Sequence, residues 1–112
     1  MKPTALAPTV ALATPKIERF VRNNLMPIVG GTIQEIYECS PSTHDAIDGE
    51  TGDEWVEGSW GVRVTHWGLS GETVKLAMNI EHPSISVVEC SIKPEEGKLR
   101  VEFWLCARVM RG

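Results

Sequence analysis

The chain has 112 residues, a formal net charge of −4 and 42% apolar residues, which fits a single globular domain. Its eleven Lys and Arg are scattered, so no basic run offers itself to a nucleic-acid backbone. No apolar stretch approaches the ~20 residues that a membrane-spanning helix needs.

Residues 1–14 form an arm rich in Pro, Ala and Thr, and residues 15–112 form the domain. The arm has no helical period, and Val10 and Leu12 are spaced for a short strand. Leu6 to Ala13 is apolar and ends in Ala11-Leu12-Ala13, but it is short and carries Pro8. It reads as an arm rather than as a secretory leader.

A helix is predicted next. Thr14 suits the N-cap, Pro15 suits the first helical position and Glu18 lies in the first turn. Ile17, Phe20, Val21 and Leu25 form one apolar stripe. Pro27 is expected to stop the helix after about eleven residues, or roughly 16 Å. Gly30-Gly31 then turns the chain into a strand from Thr32 to Cys39. Ile33, Ile36 and Tyr37 cannot share a face there without a bulge.

The segment from Ser40 to Asp53 is a polar loop. Asp45, Asp48, Glu50, Asp53 and Glu54 bring five carboxylates together, the ligand type of Ca²⁺. Ile47 interrupts the alternation that an EF-hand loop requires. The segment therefore reads as a solvated loop, and neither a metal nor a cofactor is expected.

From Trp60 to Leu105 the pattern is period two. Trp60, Val62 and Val64 alternate with polar residues, as do Val74, Leu76, Met78 and Ile80. A turn at Leu69-Ser70-Gly71 would set Val64 against Leu76, Val62 against Met78 and Trp60 against Ile80. A turn at Pro83-Ser84-Ile85 would set Ile80 against Val88. A four-residue turn at Pro94-Glu95-Glu96-Gly97 would set Ile92 against Leu99, Cys90 against Val101 and Val88 against Phe103. The three turns agree on one buried wall: Trp60, Val62, Val64, Leu76, Met78, Ile80, Val88, Cys90, Ile92, Val101 and Phe103.

The class predicted is α+β, with one N-terminal helix on a curved, half-barrel-like antiparallel meander of four to five strands. A strand-like arm, a helix and a meander in that order resemble the cystatin-like grasp in topology. None of that family's inhibitory loop residues is matched here, so the resemblance implies no function. One helix would cover about a third of such a wall, leaving the rest to sheet curl, the arm or a second subunit.

No motif of nucleophilic catalysis is present. The register separates His66 from His82 and gives no Ser or Cys a His neighbour. Glu89 and Glu102 are expected to face each other on the outer side. There Trp104 should sit opposite Val87, and Cys106 opposite Ile85, with Met110 beyond. An apolar cluster on a polar face is expected to be covered, either by a partner or by the arm through Val10 and Leu12. Cys39, Cys90 and Cys106 lack CxxC spacing and read as reduced thiols of a cytoplasmic protein, or of a particle assembled there.

The function expected is that of a non-enzymatic, self-associating assembly subunit, as in viral or other multi-subunit structural proteins. Its interface would be Trp104, Val87, Ile85, Cys106 and Met110, with Val10 and Leu12 of the arm. The partner is a second copy or another protein, not nucleic acid or membrane. One alternative is a ligand-binding protein or small enzyme with a pocket inside the curled sheet, using His66, Tyr37 and Glu54. Another is an inhibitor that adds its edge strand to a target.

Overall fold

The computed structural model describes residues 14–39, 44–47 and 54–110; for residues 44–47, 54–56, 109 and 110 only backbone structure and pairing are described. Residues 1–13 of the arm and the rest of the carboxylate-rich loop lie outside the described residues, as do the side chains of Asp45, Glu54, Trp55 and Met110.

The first helix, α1, runs over residues 14–29, longer than Pro27 would suggest. Its expected stripe is buried: Ile17, Phe20, Val21 and Leu25 are at most 2% exposed, and Val29 extends it. Pro27 does not stop the helix because Val21–Leu25 is a π-helical turn, in which the Met26 N–H bonds to the Val21 carbonyl. The helix restarts at Met26–Val29 with Pro27 in its first positions, where a missing N–H costs no bond. Gly30 and Gly31 then take positive φ. At Gly31 a Cβ would fall 2.6 Å from the Thr65 carbonyl oxygen, so glycine is required on two counts.

Strand β1, Thr32–Glu38, pairs antiparallel with β3, Glu54–His66, and carries the expected bulge between Ile33 and Glu35. Strand β2, His44–Ile47, continues along the same edge of β3. The second helix, α2, spans Gly71–Met78. Strands β4, Ile85–Glu95, and β5, Lys98–Met110, form a hairpin closed by Glu95 and Lys98. The sheet order is β1-β3-β5-β4, with β2 beside β3. This is an α+β fold with an open antiparallel sheet, not closed into a barrel.

Three expectations change here. The segment around Val74, Leu76, Met78 and Ile80 is not a strand. The Ser70 hydroxyl caps α2 by accepting the Thr73 N–H at 3.1 Å, and the Asn79 side chain donates to the Lys75 carbonyl at 2.8 Å. Ala77 is buried and Leu76 exposed, the reverse of the strand reading. β5 therefore takes the place beside β3, setting Val64 against Val101, Val62 against Phe103 and Trp60 against Leu105. The order is not a meander, and it departs from the cystatin-like grasp.

The hairpin also closes more tightly than expected. Its register sets Ile92 against Val101 and Cys90 against Phe103, a slip of two residues that keeps each side chain on its face. A bulge between Val87 and Glu89 then exchanges the faces. Ile85 and Val87 enter the core at 4% and 6% exposure, whereas Val88, expected inside, is 50% exposed.

Both helices contribute to one core with the inner face of the sheet. Ile17, Phe20, Val21 and Leu25 pack with Trp60, Val62, Val64, Ala77, Val101, Phe103 and Leu105. A second helix thus supplies cover that was expected from sheet curl, the arm or a second subunit. Among the described residues four large apolar side chains stay exposed: Trp67 at 65%, Leu76 at 61%, Val88 at 50% and Ile92 at 42%.

Candidate functional site

The outer face of the sheet is built from rows that the pairing defines. One row runs Tyr37, Gly61, Trp104, Glu89, and the next runs Glu35, Arg63, Glu102, Ser91. Glu89 therefore lies opposite Trp104, and the expected Glu89–Glu102 carboxylate pair does not form.

Glu102 instead accepts from two donors. The Tyr37 hydroxyl donates to its Oε2, and Arg63 Nε donates to the same oxygen at 3.2 Å. Arg63 Nη1 reaches Glu35 Oε1 at 2.6 Å. The guanidinium carbon lies 5.1 Å from the Tyr37 ring centroid, within cation–π range. One arginine thus holds two carboxylates and a phenol in fixed relation.

Gly61 makes the cluster possible. A Cβ there would fall 2.6 Å from Tyr37 Cε1, and closer still to Cζ and the hydroxyl. The ring lies in the space that a side chain would fill, so a strand glycine is covered by its cross-strand aromatic neighbour. The sequence signal was available: a glycine flanked by Trp60 and Val62 inside a strand marks a close approach. What it could not give was the pairing of Gly61 with Tyr37.

The electrostatics oppose acid–base work by the phenol. Burial, then the hydrogen bond and negative charge of Glu102, push the Tyr37 pKa up from 10.0 to about 12, with Arg63 opposing. A tyrosine meant to lose its proton near neutrality needs the opposite shift. Burial likewise raises the thiols of Cys39 and Cys90, with the Glu102 charge adding at Cys39, which makes both poorer nucleophiles.

His66 and His82 serve the fold. His66 Nε2 lies 2.8 Å from the Val29 carbonyl, and Nδ1 accepts the Gly68 N–H at 3.0 Å. These roles make Nε2 the protonated nitrogen, donating to the C-terminal end of α1. His82 Nδ1 accepts the N–H groups of Ser84 and Ile85, each at 3.1 Å, while its ring meets Phe20 edge-on at 5.1 Å.

The residues named from sequence are therefore separated. His66 is on the inner face and Tyr37 on the outer, so they cannot line one pocket; the Glu54 side chain lies outside the described residues. Of the interface set, Trp104 and the exposed Cys106 are on the outer face as expected, but Ile85 and Val87 point into the core. Met110 pairs with Trp55 through the backbone, and Val10 and Leu12 lie outside the described residues.

Open grooves flank these elements. One, of about 640 Å³, runs between α1 and β1 past Glu18, Arg22, Met26 and Glu35. Another, of about 420 Å³, is lined by Lys16, Arg19, Asn23, Asn24 and His82. Among the described residues no cluster of His, Cys, Asp or Glu could hold a metal ion, and no helix is long and apolar enough to cross a membrane. No family model, curated protein or solved structure matches the chain.

Proposed function

We propose that the protein is a non-enzymatic, self-associating assembly subunit. The observation that carries this reading is where apolar surface remains once the core is filled. Among the described residues, three of the four large exposed apolar side chains, Leu76, Val88 and Ile92, belong to α2 and β4, which pack against each other at one end of the sheet order. An edge strand with exposed apolar side chains is a template for another chain.

The outer-face groups support the same reading. Tyr37, Arg63, Glu35 and Glu102 are committed to one another, and the phenol is held in its neutral form. Such a cluster stiffens a surface and presents Trp104 beside it, and Trp and Arg are enriched at protein interfaces. The test is native mass spectrometry and light scattering of the full chain at high micromolar concentration. A defined oligomer is expected; a monomer throughout would overturn the reading.

A further inference from the structure

The geometry points to a two-fold interface in which β4 of one copy pairs antiparallel with β4 of a second, centred on Ser91. The inference rests on the self-association proposed above and assigns its surface and register.

The backbone supplies the first argument. β4 is the terminal strand of the sheet. Glu95 and Lys98 close a two-residue loop, so they form the hydrogen-bonded pair of the hairpin, and hydrogen bonding toward β5 alternates from there. Lys93 and Ser91 thus direct their N–H and C=O groups to β5, whereas Pro94, Ile92 and Cys90 direct theirs outward. Pro94 fits this phase, since its missing donor costs the β5 ladder nothing. Among the described residues nothing pairs with the outward groups of Cys90 and Ile92, which form a short edge ended by Pro94 on one side and by the bulge at Val88 on the other.

The side chains supply the second argument, because they select one register. A two-fold axis through Ser91 pairs Val88 with Pro94, Glu89 with Lys93 and Cys90 with Ile92 of the second copy. Cys90–Ile92 is an apolar pair on the inner side and Glu89–Lys93 a pair of opposite charge on the outer side, each occurring twice by symmetry, while Val88 of the bulge meets Pro94 where the edge ends. Moving the axis to Cys90 sets Val88 against Ile92 but leaves Glu89 facing Ser91, with no opposite charge. Moving it to Ile92 sets Glu89 against Glu95. Among these, only the Ser91-centred register brings opposite charges together. It also leaves α2 of both copies on the same side of the joined sheet, with the exposed Leu76 available to the seam. Cys90 and Ile92 exchange backbone bonds directly, and Ser91 meets its own copy in the close, non-hydrogen-bonded position.

Two measurements on the full chain test the register. In the first, Glu89→Lys and Lys93→Glu are made singly and together and dissociation is followed by native mass spectrometry. Each single change sets like charges opposite at two symmetry-related sites, and is expected to weaken the oligomer at least about tenfold. The double change restores the pairing and is expected to bring affinity back to within about threefold of the parent. In the second, Ser91→Cys is oxidised and the linked peptides are mapped. The close antiparallel position puts the Cα atoms within disulfide reach, so a link between the two introduced thiols is expected. A protein that associates but shows neither the charge-swap rescue nor that link overturns this interface and leaves self-association standing. A protein that is monomeric throughout overturns both.

Discussion

Replacing Gly61 with alanine tests whether the Tyr37 cluster is held as described. The added Cβ would lie 2.6 Å from Tyr37 Cε1 and nearer to Cζ and the hydroxyl. The obstructing atoms belong to a rigid ring, so the ring must leave its place. Leaving breaks the hydrogen bond to Glu102, and bonds to charged groups contribute about 1.5–3 kcal/mol. It also ends the contact with Arg63, about 0.5–1 kcal/mol at an exposed site. Rehydration at this half-open surface offsets part of both. A net loss of about 2 kcal/mol is expected, or roughly 10 °C in Tm, measured by thermal and urea unfolding.

The same variant has a second readout. Tyr37 is the single tyrosine, so tyrosinate absorbance reports this residue alone. The parent should titrate at about 12, against 10.0 for an unperturbed phenol. Gly61→Ala should move the midpoint toward 10. The raised value means that the fold favours the neutral phenol. Its contribution to stability is thus intact below the unfolded pKa near 10 and is lost as pH rises through about 12. A variant within about 0.5 kcal/mol of the parent and still titrating near 12 would refute the argument.

Three other outcomes are expected. Ser70→Ala removes the α2 cap and should cost about 1 kcal/mol in urea unfolding, with Ser70→Asp close to the parent; an unchanged midpoint for the alanine variant would show that the cap is idle. Gly31→Ala should cost well over about 2 kcal/mol, because φ is positive and the Thr65 carbonyl is in the way, whereas Gly97→Ala, with positive φ but open space, should cost about 1 kcal/mol. Equal losses would mean that the close approach at Gly31 is unimportant. Among the thiols, exposed Cys106 should react first with a maleimide, with Cys39 and Cys90 at least about tenfold slower because burial shields them and raises their thiols.

Much of the frame was legible because it depends on local chemistry. The stripe Ile17, Phe20, Val21, Leu25 needs only a helical period. Gly30-Gly31 announces a turn, and Ile33, Ile36 and Tyr37 require a bulge. Trp60, Val62, Val64, Val101 and Phe103 alternate cleanly and are all buried. The segment from Thr73 to Ile80 misled because it satisfies two periods. Its apolar residues alternate, yet Val74, Ala77 and Met78 also share a helical face, and Ser70 three residues before Thr73 is a cap. Leu, Ala, Met and Lys favour helix, while β5 is rich in strand-forming Val, Phe and Trp.

Local chemistry assigns helix, turn and strand preference along the chain and sends the strongest apolar positions inside. Tertiary structure alone decided the partners. It inserted β5 between β3 and β4, so that α2 became cover rather than wall, and it placed a bulge at Val88 that exchanged the faces of β4. It also brought Tyr37, Arg63 and Glu102 together from three strands. Such contacts span tens of residues along the chain, and no local period encodes a strand's neighbour. The competition of whole strands for one inner face sets it, and that is why α2 closes over the core while β4, among the described residues, is left as the terminal strand.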